Sequence, residues 1–135
     1  MTVENRENAT GTVSLTVPAE AGYLALLRTV IASLAAGSDF TLDEIDDLRI
    51  AVDEAGALLL PHARSGSQLS ANFAGSAGEL RVEVAVTLPA GPLPEPDRSS
   101  FAWLVLTALT DSVELAGSGG RLALVLTKVR GTRDR

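Results

Sequence analysis

The chain has 135 residues, 46 % of them hydrophobic, which is enough for one domain with a buried core and too little for two. With 17 acidic against 11 basic residues the net charge is -6, a balance that speaks against a protein gaining affinity by neutralising nucleic-acid phosphates. Cysteine is absent and His62 is the single histidine, so disulfides, thiol catalysis, thiolate metal sites and multi-histidine metal centres are excluded.

Along the chain, the polar residues up to position 11 read as a flexible leader. No stretch approaches the ~20 apolar residues of a membrane span, and this acidic N-terminus does not have the make-up of a signal peptide. The expectation is a cytoplasmic domain with no membrane and no direct nucleic-acid partner. Val13, Leu15 and Val17 then alternate with polar residues up to Pro18, the pattern of a half-buried strand. Tyr23, Leu24, Leu27, Val30, Ile31 and Leu34 recur at helical spacing, with Gly37 as terminator. Thr41 and Glu44 form a capping box at the head of a second helix. Leu42, Ile45, Leu48, Val52, Ala55 and Leu59 mark its expected buried stripe, and Pro61 ends it. Leu69, Ala71 and Phe73, a Gly75 to Gly78 turn, and Leu80, Val82, Val84 and Val86 predict a hairpin. The four prolines between Leu88 and Asp97 mark a loop. Phe101, Leu104, Val105, Ala108, Leu109 and Val113 predict a third helix starting near Ser99 or Ser100. After a Gly117 to Gly120 turn, Leu122, Leu124 and Leu126 give a last strand, and residues 130–135 form a basic tail.

The resulting order, β-α-α-β-β-α-β, lacks βαβ alternation. It predicts an α/β two-layer sandwich with helices on one face of a mixed, mostly antiparallel sheet. One domain spans residues 12–129.

Four groups of residues could carry chemistry. Asp53 and Glu54 are adjacent on a helix and point about 100° apart, so they do not form a dyad; either one acts as a lone general base or both are solvated acids. His62 follows the second helix, where an imidazolium complements the dipole. Gly117 to Gly120 precedes a strand, which makes it a turn rather than a phosphate cradle. Trp103 and Phe101 read as core residues, with a partner-facing aromatic as the alternative.

The stretch Leu48 to Ala55 (LRIAVDEA) resembles the N-box helix of the GHKL (Bergerat-fold) ATPases, in the form found in anti-sigma regulatory factors and serine-protein kinases of the RsbW (UsfX) type. Leu24 to Leu34 is similar to that family's first helix, Phe101 to Val113 (FAWLVLTALTDSV) to the helix after its ATP lid, and Leu126 to Lys128 (LTK) to its final strand. The resemblance implies a homodimeric regulator that sequesters a sigma factor and is released by a STAS-domain anti-anti-sigma antagonist. Active members phosphorylate that antagonist with Mg-ATP. On the same basis Glu54 corresponds to the catalytic base, Arg28 to a partner-contacting arginine, and Thr127 and His62 to nucleotide-binding positions, the one a threonine near the adenine and the other a histidine common at the end of the N-box helix.

Three departures from the pattern imply a degenerate member. The metal-holding asparagine is replaced by Leu58, which has no oxygen for a hard cation. The DxGxG box falls at Val86 to Ala90 (VTLPA), and the second glycine box at Ser100 to Ala102 (SFA). Phosphoryl transfer depends on positioning and metal-assisted charge stabilisation, so the expectation is a sequestering protein with no metal site. A surviving Mg-ATP-dependent kinase is the alternative. Charge distribution adds a hint about partners: seven acids (Asp39, Asp43, Glu44, Asp46, Asp47, Asp53, Glu54) crowd residues 39–54 with Arg49 alone among them. Such a face steers a basic partner.

Overall fold

The computed structural model describes residues 2–4 and 12–131. In chain order these are β1 (Thr2–Glu4), β2 (Thr12–Pro18), α1 (Leu24–Gly37), α2 (Leu42–Leu59), β3 (Gln68–Ser76), β4 (Glu79–Thr87), α3 (Phe101–Leu109), β5 (Ser112–Ser118) and β6 (Arg121–Val129). The strands form one sheet in the order β1-β2-β3-β4-β6-β5. Every neighbouring pair is antiparallel, so the expected mixed component is absent from the described strands.

Strand register explains the two layers. Side chains alternate between faces along a strand, and three cross-sheet rows place apolar residues together on one face. Val13, Phe73, Val82, Leu126 and Val113 form the first row, Leu15, Ala71, Val84, Leu124 and Leu115 the second, and Val17, Leu69, Val86, Leu122 and Gly117 the third. The helices cover this face: α1 meets β3, α2 lies over β4 and β6, and α3 meets β5, with α2 packed between its two neighbours. Leu27, Ile31, Leu48, Leu59 and Leu106 project from the helices into the same core. The opposite face carries Ser14, Asn72, Arg81, Glu83 and Glu114, and a Ser14 hydroxyl bond to Asn72 Oδ1 of 2.6 Å crosses β2 and β3 there. No helix among the described residues is long and apolar enough to cross a membrane.

Several sequence expectations need correction. Thr2–Glu4, expected within the leader, pairs with β2 as an edge strand; leader residues 1 and 5–11 and tail residues 132–135 lie outside the described residues. The third helix stops at Leu109, and Val113 belongs to β5. A hairpin therefore closes the chain, turning at Gly119 and Gly120, whose φ angles of 61° and 75° favour glycine. Leu42, expected in the buried stripe, is 80 % exposed, because as the first residue of α2 it points off the end of the packed surface. Phe101, read as core, is 77 % exposed for the same reason at the start of α3, whereas Trp103 is buried.

Candidate functional site

Helix α2 is the element on which the candidate residues converge. Its start is fixed by the predicted capping box: the Thr41 hydroxyl accepts from Glu44 N at 3.1 Å, and Thr41 N donates to the Glu44 carboxylate at 2.8 Å. The apolar stripe Leu48, Ala51, Val52, Ala55 and Leu59 is buried against the sheet, which leaves two flanks, one toward α1 and one toward α3.

On the α1 flank, the Arg28 guanidinium donates from Nη1 to Asp53 Oδ1, an ion pair between half-exposed side chains. The spacing that permits it is set one turn away. A Cβ at Gly56 would stand 2.5 Å from Leu24 Cδ2, so glycine there lets the two helices approach closely. Arg28, Asp46, Arg49, Ile50, Asp53 and Glu54 line an open depression of about 530 Å³. Arg28 and Glu54, widely separated in sequence, are thus brought to one surface. Ile50 and, on α1, Leu26 are exposed apolar side chains on the helical layer, at 47 % and 46 %.

The α3 flank is closed. Ser100 caps α3, its hydroxyl accepting from Trp103 N at 3.2 Å, and an Asp97 carboxylate held by Ser99 N and Oγ shapes the turn before it. Those two bonds, the hydroxyl's first, hold the Asp97 carboxyl below its ordinary value of 3.8. Trp103 and Leu106 are buried, Arg98 stacks 4.9 Å from the Trp103 ring centroid, and Leu58 packs against the apolar core. At the end of β6, Lys128 continues the inward row of Leu122, Leu124 and Leu126. Its ammonium donates to Leu109 O at 2.9 Å and to Asp47 Oδ2 at 3.4 Å, tying β6 to the ends of α3 and α2. Asp111 fastens the same segment, donating from its N–H to Thr127 O and accepting from Val129 N through its carboxylate.

The other predicted residues stand apart. His62, half-buried in the 3₁₀ turn after α2, lines a separate depression of about 270 Å³ with the proline loop at Leu88 to Pro92. Thr127 lies between Arg81 and Ser112 in the sheet register. Since its neighbours Leu126 and Lys128 face the helices, its side chain faces the opposite side of the sheet from Glu54. Sequence reasoning did not single out Lys128 or Asp111, nor the pairing of Asp53. For Lys128 the signal was present: it falls in the same period-two series as three buried leucines.

Residues 17–128 match the family model described as the histidine kinase-like ATPase domain. The chain belongs to this family. Among its relatives within the histidine kinase-like ATPase domains, it is 33 % identical over 116 residues to the anti-sigma-F factor RsbW of Mycobacterium tuberculosis, covering 86 % of this chain and 68 % of that protein. A shorter match of 35 % identity over 51 residues, 38 % of this chain and 32 % of the relative, is to the serine-protein kinase RsbW of Bacillus cereus. The fold also matches a crystal structure of the RsbU and RsbW domains of a Mycobacterium tuberculosis protein, with a TM-score of 0.67 and 18 % identity. That match covers 93 % of this chain and 34 % of the longer one.

Leu58, Val86, Leu88 and Ser100 stand at or within the segments that the sequence resemblance aligns with the metal-holding asparagine and the two glycine boxes. Leu58 has no oxygen donor and lies against the core. Val86 and Leu88 are buried, and Leu88 N donates to Gly120 O at 2.7 Å. The Ser100 hydroxyl is engaged by the backbone of α3. Glu54 retains a half-buried carboxylate on α2.

Proposed function

We propose that this domain is an anti-sigma factor that acts by binding rather than by phosphoryl transfer. On this reading it holds a sigma factor away from RNA polymerase in the cytoplasm, as a homodimer, and a STAS-domain anti-anti-sigma protein competes it off. The observation that carries the reading is the contrast at α2: the flank with Arg28 is open and charged, while Leu58 lies partly buried against the apolar core. Leu58, the Val86 to Ala90 strand end and Ser100 do not fit Mg-ATP, so no catalytic step is assigned to Glu54, and Thr127 and His62 hold no nucleotide. The acids of α2 favour approach of a basic surface, and Ile50 and Leu26 offer apolar contact area.

Two measurements test the proposal. In a panel of purified sigma factors from the source organism, at least one is expected to bind the intact chain stoichiometrically; binding by none overturns the reading. Titration calorimetry with Mg-ATP is expected to show no binding tighter than roughly 100 µM, or about 5.5 kcal/mol. Tighter binding would instead favour the second reading, an active kinase, which the half-buried Glu54 carboxylate supports. Leu58→Asn alone is expected to leave Mg-ATP binding absent, because neither glycine box is restored.

A further inference from the structure

We propose that Asp53 is a positioning residue for the partner contact made by Arg28; this rests on the anti-sigma reading above. The helices run past each other in opposite directions, and the Leu24–Gly56 contact fixes their separation. One turn along α1 from Leu24 lies Arg28, and one turn back along α2 from Gly56 lies Asp53, so the same close approach brings the two charges together. Asp53 engages only Nη1 of the guanidinium, and no other hydrogen bond to that group is made by the described residues. This leaves the Nε–Nη2 edge, which grips a carboxylate with two parallel bonds, without a partner among the described residues, on a side chain that lines the depression with Arg49, Ile50 and Glu54.

A long arginine side chain with 36 % of its surface exposed would otherwise sample many rotamers, and ordering them on binding reduces affinity. Asp53 removes part of that cost beforehand. It also selects the partner: Asp46, Asp53 and Glu54 outnumber Arg28 and Arg49 around the depression. A single carboxylate aimed at the open guanidinium edge, flanked by basic or apolar groups, fits there, whereas an acidic cluster is repelled.

The test uses the sigma factor identified in the binding panel, titrated against the intact chain and its variants. Asp53→Asn keeps the side-chain shape and is expected to weaken binding about three- to ten-fold, given the ordering cost of one long side chain. Asp53→Glu restores part of the loss, and Asp53→Asn has no further effect in an Arg28→Ala background. Unchanged or tighter binding by Asp53→Asn overturns the inference, as does an equal loss in the Arg28→Ala background, which would make Asp53 a direct contact. Unchanged affinity of Arg28→Ala also overturns it, since no contact is then left to position; if no sigma factor binds, the underlying reading fails instead. Thermal melts of each variant separate these outcomes from misfolding.

Discussion

The two flanks of α2 belong to one helix yet differ in almost every physical respect. Toward α1 the helix shows charged side chains, a glycine that admits a close neighbour, and an ion pair half open to water. Toward α3 its Leu58 is partly buried against the core, its neighbours on α3 are a buried tryptophan and leucine, and a β6 lysine has its ammonium held by a helix-end carbonyl. Exposed ion pairs add little to stability, whereas apolar burial dominates it. Apolar burial from both neighbours therefore holds the fold, and the half-exposed charges on the α1 flank add little to it.

The largest effect should come from the closed flank. Leu106→Ala removes a fully buried side chain and is expected to lower unfolding free energy by about 3 kcal/mol, read from urea denaturation, while the folded fraction binds its partner unchanged. A loss of affinity without a loss of stability would erase the distinction between the flanks. Gly56→Val forces Leu24 to move at the boundary of the open flank and should cost about 2 kcal/mol. It should also weaken partner binding, since the spacing that joins Arg28 to Asp53 shifts; unaltered binding would show that the pair tolerates a wider gap.

On the open flank the expectation reverses. Arg28→Ala should change stability by about 0.5 kcal/mol or less but weaken partner binding, as calorimetry against the sigma factor would show. The smallest effect is expected at Asp97, the exposed turn residue before α3. Its carboxyl is lowered by the Ser99 bonds, so its contribution is present above the ordinary value of 3.8 and fades as pH falls through the folded value. Asp97→Asn should therefore lower stability slightly at neutral pH, flatten the acid limb of the stability–pH curve, and converge with the parent chain at low pH.

How legible all this was in the sequence depended on whether the signal was local. The Thr41–Glu44 box and the Ser100 cap join residues three apart, and the alternation in β2, β3, β4 and β6 repeats often enough to set register. Strand β5 was obscured because Val113 lies four residues beyond Leu109 and so also fits helical spacing. Only pairing with β6 decides for a strand. Leu42 and Phe101 matched their helices' apolar periodicity, but periodicity does not say where a neighbouring surface ends. At the site, Glu54 is legible as one of two adjacent helix carboxylates and Arg28 through family likeness, whereas their shared surface depends on how α1 packs on α2. The Arg28–Asp53 pair spans 25 residues and is set by a glycine no short-range rule would single out.

Lys128 has one more consequence. It is the sole lysine of the sequence, and its side chain is only 13 % exposed. Amine-directed reagents therefore meet one side-chain target, sheltered where three elements join. Its labelling rate would serve as an intrinsic clock for the parting of α3 from α2, readable by mass spectrometry without any added probe.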